Sequence, residues 1–64
     1  MKVNYDREVD ILYIKLTDET IEESDEEKPG FVIDYDSNGS IVGIEIMNAS
    51  KSVSKPNTVE LAIA

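Results

Sequence analysis

The 64-residue sequence contains no cysteine and no histidine. A disulfide bond is therefore excluded, and the usual ligands of a structural zinc site are missing. The lack of histidine also excludes the Ser-His pair of nucleophilic hydrolases. Disulfides and zinc often stabilise chains that are close to the lower size limit for folding alone. Self-association and an unusually well-packed core remain as possible sources of the extra stability. We expect a homodimer or a higher homo-oligomer.

Long apolar runs are also missing. No stretch approaches the roughly 20 apolar residues that span a bilayer, and residues 1–7 contain no apolar run of signal-peptide length. The absence of cysteine fits a reducing compartment. We therefore expect one domain, residues 1–64, that is soluble and cytoplasmic and has no membrane partner.

Basic residues are few and scattered. Six lysine and arginine residues stand against 14 acidic residues, which gives a formal net charge of −8. Such a balance argues against nucleic acid as a partner, because phosphates repel an acidic surface. It points either to a partner protein with a basic surface or to acidity that simply keeps a small domain soluble.

Short segments of alternating apolar and polar residues make up most of the chain, and this period is typical of strands. Strands are predicted at residues 2–5, 10–17, 31–36 and 41–47. Residues 48–55 suit a helical turn, and residues 57–64 alternate as a last strand would, with a short helix as the alternative. The predicted fold class is mainly β, or α+β with one short helix. Its core is a small antiparallel sheet built on a meander with a central Asn-Gly hairpin.

Residues 18–27 form an acidic segment in which seven of ten residues are Asp or Glu. Ile21 is its only large apolar residue. A segment of this kind buries little surface, so it is either a solvated edge strand or a loop.

Asn38-Gly39 separates the two best-defined strands. Asn-Gly favours a two-residue type I′ turn, because both of its central residues need positive φ. That loop would place Tyr35 opposite Val42, Ile33 opposite Ile44 and Phe31 opposite Ile46, which collects the apolar side chains on one face. A slip by one residue would send a strand's side chains to the wrong face, so this register is predicted.

The same region matches the calcium-loop pattern of an EF-hand at Asp34, Asp36, Asn38, Gly39 and Glu45. An EF-hand needs a helix on each side of the loop, whereas both flanks here have strand character. A hairpin is therefore the favoured interpretation. Asp34, Asp36 and Glu45 remain weak candidates for a metal site, and no cofactor is expected.

Catalytic residues are not evident. Asp34 is the best candidate for an acid or base, because it lies on a partly apolar face where its pKa could be raised. The alternative is that Asp34 accepts hydrogen bonds near a turn. Tyr5, Tyr13 and Tyr35 either form a binding surface or pack in the sheet with each hydroxyl on a carboxylate or water. We predict no enzymatic activity.

Several motifs occur in a fixed order: Val3-Asn-Tyr-Asp, Asp10-Ile-Leu-Tyr-Ile-Lys-Leu, Gly30-Phe-Val-Ile-Asp-Tyr-Asp, Gly39-Ser-Ile-Val-Gly-Ile-Glu-Ile and Asn48-Ala-Ser. Over about residues 3–51 the sequence resembles the domain-of-unknown-function family 2283, which leaves residues 52–64 as a C-terminal segment. The resemblance implies a small, mainly β prokaryotic protein without an established activity. It also implies an antitoxin or partner role for those members that are encoded beside small ribonuclease-like toxins.

The positions that match this family supply a candidate functional surface, formed by Tyr5, Asp6, Asp10, Tyr13, Asp34 and Glu45. The leading hypothesis is a non-enzymatic, oligomeric module that binds a basic protein, with an antitoxin as its family-based form. The alternative is a cation-binding or metal-assisted hydrolytic protein that uses Asp34, Asp36 and Glu45.

Overall fold

The computed structural model describes residues 1–52 of the chain. Within them lie five strands and one short helix, listed here in chain order: β1 (Lys2–Asp6), β2 (Ile11–Lys15), β3 (Glu23–Lys28), β4 (Phe31–Tyr35), β5 (Ile41–Met47) and α1 (Ala49–Ser52). The strands form one open sheet in the order β1-β2-β5-β4-β3, and every neighbouring pair is antiparallel. The mainly β prediction is confirmed, and so is the helical turn after residue 48.

The alternation of side chains gives the sheet two unlike faces. One face, called here the helix face, carries the apolar pairs Leu12–Ile46 and Ile14–Ile44. Leu12 is fully buried there and packs with Ala49 of α1, so the helix covers this part of the sheet. The opposite face, called here the open face, carries Tyr13 and Glu45, which face each other across β2 and β5.

The central hairpin differs from the predicted two-residue turn. The amide of Asp36 donates to the carbonyl of Ser40 at 2.9 Å, and the amide of Gly39 donates to the carbonyl of Asp36 at 3.1 Å. Gly39 has a φ of +80°, whereas Asn38 has no positive φ. The loop therefore has three residues, and the type I′ prediction is wrong.

A β-bulge next to this loop restores the predicted register. Tyr35 faces Ile41 rather than the predicted Val42. Between Tyr35 and Asp34 the register shifts by one residue, so that Asp34 faces Gly43. From there Ile33 faces Ile44 and Phe31 faces Ile46, as predicted. The bulge compensates for the longer loop because a bulge places one extra residue in one strand, and the apolar side chains stay on the helix face.

Asp36 explains why the longer loop forms. Its Oδ1 accepts hydrogen bonds from the amides of Asn38 and Ser40, both at 2.9 Å. Asp commonly fixes a turn by accepting amides two or more residues ahead. The predicted two-residue loop rested on the Asn-Gly pair and the apolar register, neither of which includes this carboxylate.

The acidic segment combines both predicted alternatives. Residues 18–22 lie outside any strand, and β3 is an edge strand whose six residues are all exposed. Residues 57–64, predicted as a last strand, lie outside the described residues. In the part of the chain that the structure describes, no helix has the length and apolar character needed to cross a membrane.

Candidate functional site

Asp34 is the one buried charged residue of the described sheet, with 4% of its surface exposed. Its Oδ1 accepts a hydrogen bond from the Ser24 hydroxyl at 2.6 Å, and its Oδ2 accepts one from the Tyr13 hydroxyl at 3.3 Å. We call these three residues the Asp34 cluster. Two hydroxyl donors satisfy a carboxylate that would otherwise be costly to bury.

The Asp34 cluster is assembled by the sheet register. Ser24 faces Asp34 across β3 and β4, and Asp34 faces Gly43 across β4 and β5. The Tyr13 side chain reaches Asp34 by passing over Gly43. A Cβ atom added to Gly43 would lie 2.7 Å from the Tyr13 hydroxyl oxygen and 3.1 Å from the Ile14 carbonyl oxygen. Gly43 therefore leaves the space through which the tyrosine crosses the sheet.

The surroundings of Tyr13 raise the pKa of its hydroxyl above the ordinary value of 10.0. Partial burial is the largest cause, followed by the negative charge of Asp34, the hydrogen bond to Asp34 and the charge of Glu45. Tyr13 is protonated at neutral pH even at the ordinary pKa, and the raised pKa extends its role as a hydrogen-bond donor to higher pH.

A second group, the Asp10 cluster, joins the β1–β2 turn to α1. Asp10 Oδ1 accepts hydrogen bonds from the Tyr5 hydroxyl at 2.7 Å and from the Ser50 amide at 3.0 Å, and Oδ2 accepts one from the Ser50 hydroxyl at 2.7 Å. Its carbonyl oxygen also accepts the Ala49 amide at 3.0 Å. Asp10 has a φ of +55°, a left-handed conformation that Asp tolerates better than most residues.

The same hydrogen bonds shift two pKa values in opposite directions. The pKa of Asp10 is lowered, first by the Ser50 hydroxyl and then by the Tyr5 hydroxyl, since both stabilise the carboxylate. The pKa of Tyr5 is raised, mainly because its hydroxyl donates a hydrogen bond to Asp10. The Asp10 cluster thus holds a charged carboxylate at the junction of the turn and the helix.

The six residues of the predicted candidate surface do not form one site. Tyr5 and Asp10 meet in the Asp10 cluster, whereas Tyr13 and Asp34 meet in the Asp34 cluster with Glu45 beside Tyr13. Asp6 belongs to neither cluster, and its Oδ1 accepts the Glu8 amide at 3.0 Å within the turn.

Of the two interpretations of the tyrosines, the structure supports packing in the sheet with each hydroxyl on a carboxylate. Tyr5 donates to Asp10, Tyr13 to Asp34, and Tyr35 to Glu27 at 2.8 Å. Two serines that the sequence reasoning missed complete the clusters. Ser24 and Ser50 lie 10 and 40 residues from the carboxylates they bind. Nothing in the local sequence marks Ser24, whereas Ser50 belongs to the Asn48-Ala-Ser motif of the family resemblance, which gave no role to its hydroxyl.

The weak candidates for a metal site do not come together. Asp36 is engaged in the hairpin loop, while Asp34 binds Ser24 and Tyr13 on the open face. Among residues 1–52 no group of three acidic side chains is placed to hold a metal ion. The calcium-loop pattern therefore describes a hairpin here.

The fold and the two hydroxyl–carboxylate clusters define a small protein with one open antiparallel sheet, in which one carboxylate is buried and a second joins the β1–β2 turn to the helix. The family model described as "Protein of unknown function (DUF2283)" matches residues 2–50, and the chain belongs to this family. No curated protein and no solved structure matches the chain.

Proposed function

We propose that this protein is a non-enzymatic protein-binding module that works as an oligomer and binds a partner with a basic surface through β3. One observation carries the proposal. β3 lies at the outer position of an open sheet, all six of its residues are exposed, and four of them are acidic.

The backbone of β3 suits the addition of a strand. Among the described strands, β3 pairs only with β4. The backbone N–H and C=O groups on its outer edge could therefore pair with an extended segment of another protein. Main-chain hydrogen bonds supply affinity in this mode, and side chains supply selectivity. Lysine and arginine opposite Glu23, Asp25 or Glu26 would form favourable cross-strand pairs.

The carboxylates of the Asp34 cluster and the Asp10 cluster suit a structural role better than a catalytic one. The two best-placed carboxylates, Asp10 and Asp34, each accept hydrogen bonds from two side-chain hydroxyls. A general acid needs a proton of its own and access to a substrate. Carboxylates that are tied in this way are suited to holding the fold together.

A peptide of alternating lysine and valine tests the proposal by titration of the full chain. We expect binding that weakens with added salt, because the charges on β3 are exposed. The double variant Glu23→Gln/Asp25→Asn should bind several-fold more weakly, since each cross-strand ion pair contributes about 0.2–1 kcal/mol. A peptide in which proline replaces the valines keeps the charge but cannot pair as a strand, and it should bind poorly.

The variant Glu8→Gln/Glu19→Gln is the matched control. It removes the same charge from exposed positions outside β3 and should bind like the wild type. Equal weakening by both double variants would mean that the peptide senses only net charge, and the proposal would then fail.

The resemblance to family members that are encoded beside toxins supports a narrower form of the proposal, in which the partner is a small ribonuclease-like toxin. Co-expression of the chain with the product of a neighbouring toxin gene should then restore growth. Glu23→Gln/Asp25→Asn should restore it less well than Glu8→Gln/Glu19→Gln.

A further inference from the structure

The two outer strands of the sheet differ in charge. β1 contains one lysine and one aspartate, whereas β3 contains four acidic residues and one lysine. Pairing two copies of β3 would place carboxylates opposite carboxylates, which is destabilising. β1 has no such barrier, and among the described strands it pairs only with β2.

β1 is complementary to itself in one register. An antiparallel pair of β1 strands centred on Asn4 would place Lys2 opposite Asp6 of the second copy and Val3 opposite Tyr5 of the second copy. This register places opposite charges together and an apolar side chain against an aromatic one, and both are favourable cross-strand pairs. It also uses the full length of the strand. Shifting the centre to Val3 or Tyr5 would shorten the overlap and separate Lys2 from Asp6.

The faces of the sheet are preserved in this arrangement. A two-fold axis perpendicular to the sheet at Asn4 keeps the helix faces of both copies on the same side. Val3 and Tyr5 lie on that side, since they face Ile14 and Leu12 across β1 and β2. Val3 is 42% exposed in the single chain, so the second copy would cover apolar surface there.

Lys2 has an unfavourable neighbour within its own chain. It faces Lys15 across β1 and β2, and like charges directly opposite each other are destabilising. Asp6 of a second copy would place a carboxylate on the other flank of Lys2 and offset this repulsion.

We propose that β1 is the self-association surface, where a second copy of this chain pairs antiparallel about Asn4 and joins the two sheets into one. The proposal deepens the proposed function and rests on it for the premise that the chain is an oligomer. Dimerisation through β1 leaves β3 free at both ends of the joined sheet, so one dimer presents two acidic strands.

Single-cysteine variants of the full chain test the register, because the wild type contains no cysteine. Asn4→Cys places two thiols opposite each other, and oxidation should convert most of the protein into a disulfide-linked dimer. Lys2→Cys is the matched control. Its two thiols would lie about 13 Å apart along the paired strands, four residue steps at about 3.3 Å each, and should cross-link poorly.

A charge reversal tests the pairing without endangering the fold. Lys2→Glu should weaken dimerisation about tenfold or more, since two attractive pairs become repulsive in each dimer. The same change places a glutamate opposite Lys15, so the melting temperature of the diluted monomer should stay equal or rise. Lys2→Glu/Asp6→Lys should restore dimerisation at least in part.

Light scattering over a dilution series gives the mass of each variant. Equal cross-linking of Asn4→Cys and Lys2→Cys, or a dimer that is unaffected by Lys2→Glu, would overturn the β1 register while leaving oligomerisation standing. A wild-type chain that is monomeric at every concentration would overturn the inference. Binding of the lysine–valine peptide at β3 is measured separately, so failure of the β1 register and failure of the β3 binding surface are distinguished.

Discussion

Gly43 and Tyr13 form one unit at the residue scale. The glycine is needed because a Cβ atom would meet the tyrosine hydroxyl at 2.7 Å and the backbone of Ile14 at 3.1 Å. Only a residue without a side chain lets Tyr13 cross the sheet and donate to the buried Asp34. The family resemblance pointed to both residues, but their contact follows from the register and not from their spacing.

Gly43→Ala should lower the free energy of unfolding by about 1–3 kcal/mol, because the methyl group displaces Tyr13 and leaves Asp34 with one donor fewer. Tyr13→Phe should lower it by about 1 kcal/mol through the lost hydrogen bond. Chemical denaturation of both variants and of the double variant measures the coupling. The double variant should lose less than the two single variants combined, and strict additivity would mean that the residues act independently.

Asp10 makes a pH-dependent contribution to stability. Its pKa in the folded chain lies below the ordinary value of 3.8, so its contribution is fully present above that value. It is lost as the pH falls through the lower, folded-state pKa. The wild type should therefore be more stable than Asp10→Asn at neutral pH, and the difference should shrink as the pH falls below about 4.

The difference between wild type and variant is the informative quantity, since the other carboxylates titrate in both proteins. Glu19→Gln is a suitable comparison, because Glu19 is exposed and lies outside the strands and both clusters. A wild-type advantage over Asp10→Asn that stays constant down to low pH would contradict the role assigned to the Asp10 carboxylate.

At the scale of elements, the β4–β5 hairpin can be tested by two neighbouring substitutions. Gly39 has a φ of +80° and Asn38 has no positive φ. Gly39→Ala should therefore cost about 1–2 kcal/mol, whereas Asn38→Ala should be close to neutral, because a left-handed conformation penalises a Cβ atom. Thermal unfolding compares the two. A similar large cost at both positions would indicate the two-residue type I′ turn.

The elements show how much of the fold can be predicted from the sequence. Alternation located β1, β2, β4 and β5, because a buried apolar face leaves a period of two in a strand. It did not locate β3, whose six residues are all exposed and which was predicted only as an edge strand or a loop. It could not reveal the bulge beside Val42, since a three-residue loop plus a bulge leaves the same apolar residues on the helix face as a two-residue loop. The longer loop is favoured by the side chain of Asp36, which accepts amide hydrogen bonds within the loop and does not affect the alternation of the strands.

The candidate site was less predictable than the strands. Tyrosine and carboxylate partners were expected because a buried hydroxyl needs an acceptor. Which carboxylate each tyrosine would reach depended on the strand order β1-β2-β5-β4-β3, and local patterns do not specify that order. Ser24 could not be selected from the six serines of the sequence for the same reason, and the family motif that contains Ser50 did not show that Asp10 is its partner.

For the whole molecule, the formal net charge of −8 is the dominant electrostatic property. Mutual repulsion of the carboxylates opposes the compact state, and salt screens it. The melting temperature should therefore rise between low and moderate sodium chloride concentrations at neutral pH. The same salt should weaken binding of a basic partner, so the two effects have opposite signs.

The binding role of β3 is the central claim, and mapping amide chemical shifts during a titration with the lysine–valine peptide tests it most directly. We expect the largest chemical-shift changes at residues 23–28, and we expect the amide hydrogens of β3 to become protected from exchange. Shifts spread over all acidic positions with no new protection in β3 would contradict strand addition and reduce the interaction to net charge.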